Sequence, residues 1–427
     1  MINRIPKLQS LYPTIDYIII LFRFTSHRMI EPNKIIGKFI CLLDGLETRE
    51  DFYSLQYSLL DTLYEVEKAI SISKDKPESI PYILGMGPAT DEEKKKLAFT
   101  YLDNAEFAKE ILLSFGDSLA WILLSREFIR GSVDESKGGN ITFRSGFESE
   151  VETLKLMEKK KDTYAVLCDL THCLGISDVI TIGPDGMNMI EVKYSSYPNS
   201  DYDLSKDNRF EKQRRKMSWL RKYSSVKEGE LPFMEGQSEK FEKKYGINLH
   251  SKRIITNIED RHYFKELEDV ILRAKQEKNG FAYTTLDGVG LLEAYYYKEN
   301  EMWISNALDS IGICKKDDAL ILSCLNKHIT EFSDIIPIPL FDISQTTRYD
   351  LLTQNVTVFV TYPVKYLIQL FSKEGVDANW DESLTLSKKQ NGHSVVVQPY
   401  QINRLLYELL TPDSFVKMLS TAIDILD

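Results

Sequence analysis

Asp178, Glu191 and Lys193 punctuate a mostly apolar stretch, Ile176–Ser196, which reads ISDVITIGPDGMNMIEVKYSS. Charged side chains inside a sheet are costly unless they pair or hold a metal. Gly183-Pro184-Asp185-Gly186 has Pro at its second position and Gly at its fourth, which suits a type I turn. The sequence therefore predicts antiparallel strands over 176–183 and 186–194. Pairing Gly183 with Gly186 sets Asp178 opposite Glu191, with Cβ atoms roughly 4.5–5.5 Å apart. The two-residue period of a strand then puts Lys193 on the same face as Glu191.

Two carboxylates held that close repel unless a cation lies between them. Oxygen-only ligands suit Mg²⁺ or Mn²⁺ and not Zn²⁺. The lysine adds positive charge that can orient or help deprotonate a metal-bound water. Together these groups are equipped for metal-assisted phosphodiester hydrolysis. A plainer reading makes Glu191 and Lys193 an ion pair on a solvated sheet, with Asp178 a surface residue near the turn. Ile180, Ile182 and Met189 share the face, which predicts partial burial and weighs against that reading.

The elements needed to position these residues are legible around them. FRSGFESEVETLKLMEKKK reads as a helix and TYAVLCDLTHCL as β-rich. After the hairpin come a basic helix, KDNRFEKQRRKMSWLRKYSS, then a candidate strand, KRIITNI, giving the order α-β-β-β-α-β. A further helix, DRHYFKELEDVILRAKQEKNG, is read as capped by Gly280.

With these residues in place, the chain resembles the PD-(D/E)XK nuclease superfamily, the restriction-endonuclease-like fold. Asp178 is similar to the family's hairpin aspartate, and Glu191-Val192-Lys193 to its E-x-K tripeptide. Gly146, Phe147 and Glu148 are similar to a glutamate-bearing motif on the preceding helix, although Glu150 or Glu152 could take that role. Ser177 stands where the family often has proline. The resemblance implies that Asp178, Glu191 and the Val192 carbonyl bind Mg²⁺ or Mn²⁺ and that Lys193 acts on the water. Glu148 would hold a second metal or position the first. The substrate implied is nucleic acid, DNA before RNA, in restriction or phage defence. A nuclease fold used only for binding, scaffolding or regulation is the alternative.

The basic helix carries Lys206, Arg209, Lys212, Arg214, Arg215, Lys216, Arg221 and Lys222, with Gln213 among them. Beside the cleft it would hold phosphates, with Trp219 and Tyr223 available to stack on bases. The plain alternative has Phe210, Met217 and Leu220 facing the core and the charges solvated.

The chain has 427 residues, with 53 Lys+Arg against 64 Asp+Glu and a net charge of −11. An acidic chain has no general attraction for nucleic acid, so any such site must be a local basic patch. The 5 cysteines are odd in number and unpaired in pattern, which favours free thiols in a reducing cytoplasm. The apolar run Tyr17–Phe22 is too short for a membrane span or a signal core. No P-loop is present, so ATP-driven translocation would have to come from a partner. His172-Cys173 is read as a core pair within a strand, and no zinc spacing accompanies it.

The expected fold class is mixed α/β. A mainly helical region over 1–130 precedes the nuclease-like core at 141–275, and an α/β region of open role spans 276–427. Arg130–Asn140 reads as a linker. Within the first region, 90–129 reads as two helices, the first capped by Thr90 or Asp91. The flanking regions are expected to sense a trigger, bind an activating partner or build a homo-oligomer.

Overall fold

A computed structural model describes residues 30–84, 90–124, 126, 128–129, 141–142, 146–175, 177–192, 261–288, 290–296, 320–327, 335–380, 383–388, 394–397 and 399–426. Over these the chain is a mixed α/β protein with antiparallel sheets. Tyr17–Phe22, the linker 130–140, the basic helix and the KRIITNI strand lie outside the described residues.

The N-terminal region is helical, as its apolar spacing predicts. It comprises α1 (Pro32–Asp44), α2 (Arg49–Asp75) and α3 (Asp91–Leu123). Thr48 with Asp51, and Thr90 with Glu93, close reciprocal capping boxes at the starts of α2 and α3. Leu55, Leu59, Leu63 and Val66 of α2 and Tyr101, Ala105, Ala108, Leu112 and Phe115 of α3 form buried stripes at helical spacing, and the two helices pack together. Residues 91–123 form one continuous helix, not two. Ser114, Phe115, Gly116 and Asp117 are buried in its C-terminal half. Its glycine serves contact: a Cβ on Gly116 would stand 1.6 Å from the Leu170 carbonyl oxygen.

The first sheet has the order β1-β2-β3, with β1 (Tyr164–Leu167), β2 (Val179–Gly183) and β3 (Gly186–Ile190) all antiparallel. It follows α4 (Phe147–Glu158), which packs on β1 and β2. Beyond Leu167 the predicted strand gives way to a turn of 3₁₀ helix at Cys168–Leu170, and His172-Cys173 lies in the loop that follows.

The edge of β1 away from β2 is sealed by α2. Arg49 donates to the Glu158 and Thr163 carbonyls, and the Tyr53 hydroxyl also donates to Thr163. Gln56, wholly buried, donates to the Ala165 carbonyl at 2.9 Å and accepts from the Leu167 N–H at 2.7 Å. An amide side chain thus completes an edge that would otherwise present unpaired backbone groups. Gln56→Leu keeps the volume and orphans both groups. We expect a loss of about 2 kcal/mol, read as a lower urea midpoint with unchanged slope. An unshifted midpoint would mean that water replaces the amide.

The second sheet has the order β4-β5-β7-β6, formed by β4 (Phe281–Leu286), β5 (Gly290–Tyr296), β6 (Leu320–Cys324) and β7 (Val356–Pro363). Helix α5 (Phe264–Gln276) packs on β4 and β5. It therefore sits with the second sheet, although the 275 boundary read from the sequence would group it with the first. It ends at Glu277, and Gly280, in left-handed backbone, makes the turn into β4. Asp287 and Gly288, both in left-handed backbone, lie in the β4–β5 turn. Next come α6 (Gln345–Leu352) before β7, and α7 (Val364–Lys373) after it, with Pro363 as its N-cap. A small sheet ordered β10-β9-β8, from β8 (Asp377–Trp380), β9 (Leu384–Ser387) and β10 (Ser394–Val396), leads to α8 (Pro399–Tyr407) and α9 (Pro412–Leu426). Arg348 of α6 reaches Asp44 of α1 at 2.7 Å and the Pro339 carbonyl at 2.8 Å, tying the C-terminal region to the first helix.

Candidate active site on the β2–β3 hairpin

The hairpin has the register that its turn dictates. Gly183 faces Gly186, and Val179 faces Ile190. The ladder closes at Val179 and Ile190, one residue short of the charged pair, and beyond it the backbone bonding slips by one residue. The Asp178 N–H donates to the Ile190 carbonyl at 3.1 Å, and the Cys168 N–H donates to the Asp178 carbonyl at 2.9 Å. Asp178 is thus held from both sides just before β2, with its N–H on the carbonyl of Ile190, the residue before Glu191. Ile180 and Met189, on the same face, are buried. Asp178, Glu191 and Val192 are half-buried.

The Val192 N–H donates to Asp178 Oδ2 at 2.6 Å. This bond ties the open end of the hairpin at the residue between Glu191 and Lys193. Lys193 lies outside the described residues, as do Arg209, Lys212, Gln213, Arg214, Arg215 and Lys216. From the sequence-derived set the structure joins Asp178 to Val192, the residue that follows Glu191.

Helix α4 sorts its glutamates by face. Phe147, Glu150, Val151 and Leu154 form its buried stripe, whereas Glu148 and Glu152 are exposed. Glu148, favoured by the motif, points away from the packed side, and Glu150 is the carboxylate on it. The signal was present in the sequence, since Glu150 lies three residues after Phe147 and four before Leu154.

A second charged cluster lies behind the site, and the sequence did not reveal it. Asp117 of α3 accepts the N–H groups of His172 and Cys173 at 2.8 and 3.0 Å through Oδ1. His172 Nδ1 meets Asp117 Oδ2 at 2.9 Å, and its Nε2 meets Glu110 Oε2 at 3.0 Å. Burial opposes a charge on this ring, but Asp117 and Glu110 outweigh it and push the pKa up to about 9. Glu110 and Asp117 are seven apart on one helix and so share a face. That their partner comes from the loop after β1 could not be read from spacing.

The nearby thiols are structural. Burial raises the pKa of Cys168, and the Asp169 and Asp178 carboxylates add to it. Cys173 is raised chiefly by burial, with Asp117 adding to it. Neither has the lowered pKa of a nucleophile. Cys41, Cys168, Cys173 and Cys324 are free cysteines.

The donors at the hairpin are carboxylate oxygens, which match a hard divalent cation. Among the described residues no group of three or more His, Cys, Asp or Glu side chains is placed to hold a metal ion. Among them, too, no helix is long and apolar enough to cross a membrane. No protein-family model, no curated protein and no solved structure matches the chain.

Proposed function

We propose that the chain is a Mg²⁺- or Mn²⁺-dependent nuclease that hydrolyses phosphodiester bonds, with DNA as the favoured substrate and the β2–β3 hairpin as its active site. The observation that supports this reading is the β2–β3 register, which runs from Gly183 and Gly186 to Val179 and Ile190 and delivers the Glu191-Val192 segment to Asp178, whose carboxylate accepts the Val192 N–H. Asp178, Glu191 and the Val192 carbonyl would hold the cation, with Glu148, or Glu150 on the packed face of α4, as the helix carboxylate serving the site. When bound, a divalent cation supplies charge neutralisation at the phosphate and a water more easily deprotonated. Lys193 would orient that water and assist its deprotonation, and Arg209, Lys212, Gln213, Arg214, Arg215 and Lys216 would hold the phosphate backbone.

A second reading rests on the bond from the Val192 N–H to Asp178. There Asp178 serves to close the hairpin, and the fold binds nucleic acid or a partner without cutting. An assay separates the two. Wild type, Lys193→Ala and Asp178→Asn are incubated with plasmid, linear duplex, single-stranded DNA and RNA, with Mg²⁺, Mn²⁺ or EDTA. The nuclease reading expects metal-dependent cleavage that falls at least about a hundredfold in both variants. Wild type that cuts no substrate, and binds no Mn²⁺ by calorimetry, would leave the binding reading.

A further inference from the structure

The two faces of the second sheet differ in chemistry. One face is aliphatic: Ala282, Leu292, Ala294, Val358 and Val360 are buried there, and α5 packs on β4 and β5. On the other face, the register aligns Tyr283, Glu293 and Phe359 in one row across β4, β5 and β7. Phe281 and Tyr295 pair in the adjacent row. The rings are continuous. Phe281 lies 4.8 Å from Tyr295 and 5.9 Å from Tyr283 between centroids, and Tyr295 meets Phe359 edge-on at 5.9 Å.

Glu293 stands in the middle of these rings and is only 4% exposed. The Tyr295 hydroxyl donates to it at 3.2 Å. Burial raises its carboxyl above the ordinary range, and the Tyr295 bond offsets that only in part. No Lys or Arg among the described residues pairs with it. A carboxylate buried without a cation is costly. Yet the patch reaches solvent, since Tyr283 is 44% exposed and Phe281, Tyr295 and Phe359 are half-buried.

We propose that this face binds an arginine side chain presented by a protein partner, with Glu293 as counter-ion and the Phe281 and Tyr283 rings as its stacking surface. The ring faces and the carboxylate carry the same sign of charge and together select a cation. Guanidinium fits better than ammonium, being planar, weakly hydrated and able to fork onto a carboxylate while lying on a ring. The phosphates of a nucleic acid are repelled by the same carboxylate. The site lies on a different sheet from the hairpin, and the inference stands whether or not the chain cuts nucleic acid.

The test titrates the full chain with acetyl-Gly-Arg-Gly-amide and with its citrulline and lysine counterparts, followed by saturation-transfer NMR. Citrulline keeps the shape and loses the charge. The arginine peptide is expected to bind about tenfold more tightly than the citrulline one, as befits a charge-assisted bond. Glu293→Gln retains the acceptor for Tyr295 and is expected to abolish that preference, with an unchanged circular dichroism spectrum. Tyr283→Ala alters an exposed ring and is expected to weaken the arginine peptide alone. Equal binding of arginine and citrulline, tighter binding of lysine, or an unaltered preference in Glu293→Gln would overturn the proposal. So would an absence of arginine binding, including the case in which adenosine or cytidine binds the face instead.

Discussion

Gly116→Ala should destabilise the protein by about 3 kcal/mol, although alanine is the better helix former. In a free helix the change gains up to about 1 kcal/mol. Here the new Cβ would stand 1.6 Å from the Leu170 carbonyl oxygen and 2.7 Å from its carbon. Both are backbone atoms, so no side-chain rotation relieves the clash. The loop must move off α3, and the Asp117 bonds to the His172 and Cys173 N–H groups stretch with it. Overpacking of this kind costs about 1–3 kcal/mol before those bonds weaken. Gly37→Ala in α1 is the control, since its Cβ would meet only the Tyr349 ring at an ordinary 3.7 Å. Denaturant unfolding should show Gly116→Ala with a much lower midpoint and Gly37→Ala at or above wild type. Equal midpoints would mean that the loop yields freely. The consequence reaches the hairpin, because this loop begins at Cys168, whose N–H holds the Asp178 carbonyl. On the nuclease reading, Gly116→Ala should lose activity below its unfolding midpoint.

Raising the pH from 6 to 8.5 should cost about 2 kcal/mol of stability through His172 alone. Its pKa is about 9 in the folded protein, against an ordinary value near 6.5. The folded state therefore holds a proton that the unfolded state releases first. The stabilisation is full below pH about 6.5 and disappears as the pH rises through about 9. At about 1.4 kcal/mol per unit the whole effect is about 3 kcal/mol. Above pH about 9 the buried Cys168 and Cys173 thiols, raised in the folded state, add a loss of their own, so the comparison stops at 8.5. Urea midpoints across this range should fall steadily in wild type. His172→Gln should be less stable at pH 6 and nearly flat across the window. A wild-type profile as flat as the variant's would show that the ring is neutral between Asp117 and Glu110.

The cluster also explains how the helical region bears on the sheet. Gln56 and Tyr53 of α2 hold the outer edge of β1. Glu67, on the buried side of the same helix, accepts from the N–H groups of Ile141 and Thr142 and pairs with Lys109 of α3 at 2.8 Å. These polar contacts are buried and direction-dependent, so they fix the position of the strand more narrowly than apolar packing does. The hairpin thus rests on a sheet whose far edge is set by α2 and whose first loop is set by α3.

Local sequence determined the elements whose pattern closes within a few residues. Thr48 and Thr90 mark helix starts because a capping box spans only three residues. The register of β2 on β3 follows from Gly183-Pro184-Asp185-Gly186, because a two-residue loop leaves one pairing and strand periodicity propagates it as far as Val179 and Ile190. The buried stripe of α4 was equally legible, and it separates Glu150 from Glu148. Tertiary structure decided the rest, since the partners are far apart in the chain. Gly116 was one small residue in a helical stretch until Leu170 lay against it. His172 looked like an apolar core residue until Glu110 and Asp117 were placed on either side of it. Gln56 was one polar residue on an amphipathic helix until β1 needed an edge partner. Glu293 was a charge within a strand until the register set four aromatic rings around it. In each case the local pattern is compatible with several neighbours, and only burial of backbone or charge selects which neighbour must be there.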